Sequence, residues 1–297
     1  MIRYKIFHET IFHYNVPVSF SHNIARLKPA QTDEQCLEEY TLDVAPETNA
    51  IQEHEDYLGN TLTKIFIKQS HQKLTVTAHS VVAVDDEKIA KRFNTLNTIE
   101  ISSEELYEDL RSVNEEILYA KQFLFPSDLI PYPTQEILDY ANKSFLQHDN
   151  LYTAIHDLTK RIFTDFKFKS GFSDITTPIE IIFKEKKGVC QDFATLAISI
   201  LRAYNIPTRY ASGYIQTLPE KGQKKLFGAD ASHAWFSVYL GRHGWIDFDP
   251  TNNKMPNEEY ILLGYGRDYH DITPLKGVVQ SSGSSYLSVR VDVSRVE

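Results

Sequence analysis

Two cysteines, Cys36 and Cys190, are all the thiols in 297 residues. They are too few and too far apart to build a disulfide framework, and isolated thiols fit a reducing compartment. Basic charge is also short, with 31 Lys and Arg against 40 Asp and Glu and a formal net charge of −9. That excess argues against nucleic acid as a partner, which would need a basic face. No apolar run approaches the roughly 20 residues that span a bilayer. The start, MIRYKIFHETIFHYN, is charged throughout and has no apolar signal-peptide core. No membrane role is expected, and the cytoplasm is the expected location. His8, His13, His22, His54, His71 and His79 are scattered without the H-x-x-x-H spacing of a metal-binding helix, and no C-x-x-C pair occurs. No metal and no cofactor are expected. Internal repeats and low-complexity tracts are missing too.

What is present divides into three stretches, of a total length that suits one large domain or two ordinary ones. Residues 1–90 read as a β-rich N-terminal domain. Leu74, Val76, Ala78, Ser80, Val82 and Val84 alternate with polar or smaller neighbours at the period of a strand. Ile2–Tyr14 and Cys36–Val44 carry β-branched and aromatic residues. Leu58-Gly59-Asn60-Thr61 signals a turn, so residues near 57–84 are expected to form a hairpin. Residues 91–145 read as a helical connector. The stretch 85–100 that leads into it shows no clear period, and Ser102 and Glu105 make a capping box for a short helix through Leu106, Leu110 and Val113. Residues 146–297 read as a core with a C-terminal strand, Ser285–Val293. Helices are expected over Thr134–Leu146 and Asn150–Phe166, and from a Thr177-Pro178-Ile179-Glu180 cap to Gly188. The lysine- and glycine-rich stretch 217–230 reads as a mobile loop.

The stretch around which the chain is organised is GVCQDFATLAISILRAYNIPTRYASGY, from Gly188 to Tyr214. Ala194, Ala197, Ile198 and Leu201 recur at spacings of three and four, and nothing breaks the pattern before Pro207. A helix apolar over so much of its surface belongs in the centre of a domain. Cys190 then stands at its N-terminus, where unpaired amides and the helix dipole favour a thiolate. A small buried hydrophobe is the alternative use of such a cysteine. Lys184–Lys187 would favour the thiolate further if they turn towards it. Downstream, Ser232–Leu240 alternates, Gly241–Gly244 turns and Trp245–Asp249 returns, a hairpin with His233 on one strand and Asp249 at the end of the other. A cysteine nucleophile needs a base, and the base needs a group to hold its ring. Simple pairing leaves His233 and Asp249 out of register, so a bulge or longer loop is expected to close the gap.

Three blocks, G-V-C-Q-D-F-A-T-L-A…L-R-A-Y-N-I-P-T-R-Y…G-Y, S-H-A-W-F-S-V-Y and G-W-I-D-F-D-P-T-N, together resemble the transglutaminase-like superfamily, most of all its bacterial members described as transglutaminase-like enzymes or cysteine proteases. H-E-T-I-F-H-Y-N and D-Y-L-G-N resemble the N-terminal domain that accompanies this core in bacteria. The resemblance implies an α+β, papain-like core whose nucleophile helix packs on an antiparallel sheet, with Cys190 as nucleophile, His233 as general base and Asp249 as the orienting carboxylate. It implies acyl transfer at peptide or carboxamide bonds of a peptide, protein or amide substrate, through a thioester. The residues do not choose between water and an amine as acceptor, and hydrolysis is favoured over cross-linking because water competes unless a site excludes it. A non-catalytic binding or scaffold protein that keeps the fold is the remaining alternative, and a zinc site built from the same three residue types is a weaker one. Gln191, Asp192 and Trp235 are weaker candidates for substrate or oxyanion contact, each with a structural use as its alternative. Asp247 shares a face with Asp249, and Tyr214 and Tyr269 are expected to approach the site or to fill the core. The sequence leaves the oligomeric state open.

Overall fold

The structure is a computed structural model that describes residues 1–48, 50–96, 98–216, 232–280 and 283–296. The expected loop at 217–230 lies outside them. Six strands open the chain: β1 (Ile2–Val18), β2 (Phe20–Ala25), β3 (Gln35–Ala45), β4 (Ala50–Glu55), β5 (Thr61–Ile67) and β6 (His71–Val84). In β1, buried and exposed positions alternate from Ile2 onward, the signature of a strand with one face on a core. The Asp56 carboxylate accepts from the amides of Leu58 and Asn60, and Gly59 takes a positive φ of 85°. This tight turn pairs β4 with β5, Glu55 opposite Thr61. The hairpin expected over 57–84 is therefore displaced. β5 and β6 follow one another but enter different sheets, because alternation fixes which face of a strand is buried and not which strand lies beside it.

Eight α-helices, among the described residues, and the remaining strands follow. They are α1 (Asp86–Leu96), α2 (Ser103–Asp109), α3 (Glu115–Lys121), α4 (Gln135–Phe145), α5 (Leu151–Asp165), β7 (Lys167–Phe168), α6 (Ile179–Glu185), β8 (Lys187–Gly188), α7 (Cys190–Ala203), β9 (Thr208–Ile215), β10 (Ser232–Tyr239), β11 (Trp245–Phe248), β12 (Tyr260–Gly266), α8 (Tyr269–Ile272), β13 (Leu275–Gln280) and β14 (Ser285–Arg295). The Ser102–Glu105 capping box is present at α2, and Asn150 caps α5. α1 occupies the segment without a clear period. It buries only Ile89 and Leu96, too sparse a stripe to read, and Asp85 caps it through the Lys88 amide. At α6 the cap shifts by one residue. Pro178 is the N-cap without a side-chain bond, while the Thr177 hydroxyl accepts from the Asp174 amide in the preceding turn. The helix ends at Glu185, with Lys186 in the left-handed region at φ 52°.

The tail also departs from expectation. β14 pairs with β1 and β13 with β2, both antiparallel, so the closing strands complete the N-terminal sheets β14-β1-β6-β3 and β13-β2-β5-β4. The two sheets close over a core that includes Tyr14, Val18, Ile65, Ile67, Leu74 and Leu275. A separate antiparallel sheet, ordered β11-β10-β9-β12, backs onto α7 through Ala234, Phe236, Val238 and Phe248. α7 is buried from Asp192 to Arg202 except at Thr195. It ends in a Schellman motif: the Ile206 amide reaches the Leu201 carbonyl at 3.0 Å and the Asn205 amide the Arg202 carbonyl at 3.0 Å, with Asn205 left-handed at φ 55°. The Gln35 side chain joins the N-terminal unit to this sheet. It donates to the Leu262 carbonyl at 2.9 Å and accepts from the Leu262 amide at 2.8 Å, as a neighbouring strand would. No helix among the described residues is long and apolar enough to cross a membrane.

Gly213 tests how tightly this sheet is built, since a Cβ there would lie 2.1 Å from the Ile261 carbonyl oxygen and 2.6 Å from the Trp235 ring. Neither neighbour can yield cheaply. Gly213→Ala is expected to cost about 3 kcal/mol or more, read as a fall in the urea midpoint. An unchanged midpoint would show that the sheet is looser than this.

Candidate functional site

The start of α7 is held from beneath by Asp192. Its carboxylate accepts from the Val189 amide at 2.7 Å and from the Ser173 hydroxyl, pinning the loop before the helix to the helix's own first turn. Gly188 makes room for this, because a Cβ there would meet Asp192 atoms at 2.8 Å. Burial pushes the Asp192 carboxyl pKa up, against the pull of the two hydrogen bonds. Asp192 thus faces inward as a structural cap. Cys190, the first residue of the helix, is partly exposed, and the amides of Cys190 and Gln191 meet no acceptor among the described residues. No hydrogen bond among the described residues engages the Gln191 amide group. The lysines before the helix are turned elsewhere: Lys186 lies 3.4 Å from the Phe183 ring centroid, and Lys187 pairs with Glu185 at 3.8 Å.

His233 and Asp249 meet without a bulge. The ladder runs regularly from Tyr239 opposite Trp245 to Phe236 opposite Phe248, and its continuation sets Asp249 opposite Trp235. His233 is then the diagonal neighbour on the same face, within reach of a side chain across two strands. Its Nε2 and the Asp249 Oδ2 are 2.7 Å apart. That leaves Nδ1 for a second partner, and Cys190 lies near enough to the imidazole to act on its charge. Burial alone would lower the His233 pKa, but the hydrogen bond to Asp249 and the nearby Cys190 outweigh it and raise the pKa to about 10.

Asp249 is fully buried and accepts on both oxygens. Oδ2 takes His233, the Tyr260 hydroxyl at 2.6 Å and the Asn252 amide at 2.7 Å, while Oδ1 takes the backbone amides of Thr251 at 2.8 Å and Asn252 at 3.3 Å. Desolvation would raise its pKa; these bonds and the imidazolium hold it below the usual carboxylate range. Tyr260 and Asn252 were not among the residues singled out on sequence. Asn252 sits in the D-P-T-N block and could have been read there, whereas nothing local marks Tyr260.

Trp235 is buried with its ring 6.2 Å from the imidazole, and its Nε1 donates to Asp247 at 2.9 Å. Asp247 therefore serves Trp235, and also Tyr265 at 3.3 Å, while Asp249 serves His233. Tyr214 is spent on His8, with its hydroxyl 2.9 Å from Nδ1. Tyr269 does approach, joined by Tyr210: both phenols have raised pKa values, from burial first and then from the nearby Cys190.

Two family comparisons cover much of the chain. Residues 4–83 match the bacterial transglutaminase-like N-terminal region, and residues 139–250 match the core of the transglutaminase-like superfamily. The chain belongs to the transglutaminase-like superfamily. An uncharacterized Mycobacterium tuberculosis protein is 34% identical over 98% of this chain and 92% of its own length. An uncharacterized Mycobacterium leprae protein is 28% identical over the full length of both. A crystal structure from Cytophaga hutchinsonii, provisionally named a cysteine protease, superposes with a TM-score of 0.76 at 22% identity, over all of this chain and 91% of that one. The transglutaminase-like fold is thus shared along the whole length, N-terminal sheets included.

The raised His233 pKa has a consequence for stability. A protonated imidazole favoured in the folded state stabilises fully below the unfolded value of 6.5, and this contribution is lost as pH climbs towards about 10. The stability gap between the wild type and His233→Gln is expected to shrink from pH 6.5 to 10 in urea titrations. A gap that stays constant or widens with pH would contradict the raised pKa.

Proposed function

We propose that this transglutaminase-like chain is a thiol-dependent acyl-transfer enzyme that hydrolyses peptide or carboxamide bonds. The observation that carries the reading is the buried Asp249–His233 pair standing beside a partly exposed Cys190 at a helix start. A protonated imidazole beside the thiol favours the thiolate, the nucleophilic form. In the proposed mechanism sulfur attacks the carbonyl carbon, and the oxyanion that forms is met by the Cys190 and Gln191 amides, aided by the helix dipole. His233 gives its proton to the departing nitrogen, the C–N bond breaks, and a thioester remains. The now neutral imidazole takes a proton from water, hydroxide adds to the thioester, and the acid leaves as the thiol side is reprotonated. Asp249 keeps the ring oriented and stabilises its charge.

Hydrolysis is favoured over cross-linking because water competes with an amine at any site that does not exclude it, and Cys190 is partly exposed. Transglutamination would be the outcome if an amine were bound in water's place.

Three variants test the assignment on a fluorogenic peptide-amide library. Cys190→Ala is expected to lose all turnover while keeping its melting temperature, and Cys36→Ala to keep both. Asp249→Asn is expected to lose about 10³–10⁴-fold in kcat. Iodoacetamide labelling followed by mass spectrometry reads the nucleophile directly: Cys190 should be labelled faster than Cys36 at neutral pH, and His233→Ala should abolish that difference. Turnover retained by Cys190→Ala would sink the proposal.

A further inference from the structure

A cavity of about 430 Å³ lies on the face of the β11-β10-β9-β12 sheet turned away from α7, between that sheet and the N-terminal unit. Neither Cys190 nor His233 lines it, but Trp235 and Tyr260, which flank His233, do, so it adjoins the site above from behind. Its volume falls in the range of small-molecule sites, roughly 300–1,000 Å³, and its position between two units is where such sites gather.

Arg209 on β9 is the residue that needs explaining. It is 8% exposed and lines the cavity. Its guanidinium carbon is 3.3 Å from the Tyr265 ring centroid and 4.0 Å from that of Trp245, so two aromatic rings fix the side chain. Its Nε has no hydrogen-bond partner, and no carboxylate lies within ion-pair distance among the described residues. The other lining arginine, Arg92, is already engaged by Glu34 at 2.8 Å and the Pro256 carbonyl at 2.9 Å. A buried guanidinium held in place with its donors unspent matches the planar fork of a carboxylate.

The acidic residues narrow the ligand. Asp33, Glu34 and Asp247 also line the cavity, against the two arginines. A multiply charged anion is repelled by that balance. Asp247 accepts from Trp235 and Tyr265 through Oδ2, and no hydrogen bond among the described residues uses its Oδ1. One fork for a carboxylate and one acceptor for an N–H suit a carboxylate with an adjacent nitrogen, and the aromatic walls suit an apolar body. We infer that this cavity binds the α-carboxylate end of an amino acid or peptide, with Arg209 on the carboxylate and Asp247 on the neighbouring nitrogen.

The test is calorimetric titration of the full-length Cys190→Ala chain, in which no acyl transfer can contribute, so the result stands apart from the proposed activity. The probes are alanyl-leucine, its C-terminal amide, free leucine and inorganic phosphate. Alanyl-leucine or leucine is expected to bind saturably, with the amide at least about tenfold weaker and with at least a similar loss in an added Arg209→Lys change, which keeps the charge and removes the fork. Tighter leucine binding assigns the site to a free amino acid, and tighter dipeptide binding to a peptide terminus. Four results overturn the inference: no saturable binding up to about 10 mM, equal binding of acid and amide, undiminished binding to the Arg209→Lys variant, or phosphate binding more tightly than either carboxylate. If Arg209→Lys fails to fold, the acid–amide comparison decides alone.

Discussion

A bare carboxylate buried at the end of a strand would cost several kcal/mol, and Asp249 avoids that cost through five accepted hydrogen bonds. Much of the surrounding structure exists to supply them. The chain turns at Thr251 and Asn252 so that two backbone amides point at Oδ1, and the Asp249–Lys254 bridge closes that turn. β12 brings in the Tyr260 hydroxyl from the far edge of the sheet. His233 is thereby held by a partner that cannot itself rotate. Hydrogen bonds to a charged group are worth roughly 1.5–3 kcal/mol each when desolvated and well formed, enough in sum to keep this carboxylate ionised in a dry place. An ionised Asp249 is what allows His233 to hold its proton despite its own burial.

The other half of the site rests on α7, whose apolar surface fixes where its N-terminus stands. With Asp192 through Arg202 buried except at Thr195, the helix has almost no freedom to slide, and Asp192 ties its first turn to the loop carrying Ser173. The rigid element does the positioning, and Cys190 sits at its partly exposed tip. The lysines of α6 play no part in this. Lys186 caps a cluster of aromatic rings instead.

How much of this could be read in the residues depends on the range over which each signal acts. The capping box at Ser102, the apolar period of α7 and the turn between β10 and β11 are local, and each stands where the pattern put it. The His233–Asp249 pairing was legible as a hairpin, but the expected bulge was unnecessary: a diagonal pair on one face is already within reach when both side chains are long enough. Tyr260 was invisible, because its contact with Asp249 depends on β12 lying beside β9, a pairing between strands far apart in sequence. The same limit hid the partners of β5 and β6. α1 escaped for a different reason, since a helix that buries only Ile89 and Leu96 leaves little period to detect.

The tail strands show what that non-local pairing achieves. β13 and β14 leave the core and complete the two N-terminal sheets, so the chain passes between the units more than once and neither sheet is whole without both ends of the sequence. Gln35 then clamps the backbone of Leu262, two residues from the tyrosine that supports Asp249. A strand at the edge of a sheet has one side without partners, and here the side chain of Gln35 takes the place of a further strand. The N-terminal unit thus steadies the strand on which the Asp249 network depends. Its presence in relatives that align along their whole length has a physical reason: a transglutaminase-like core of this shape, separated from its N-terminal unit, would expose the edge of β12 and loosen the carboxylate bonded to the imidazole.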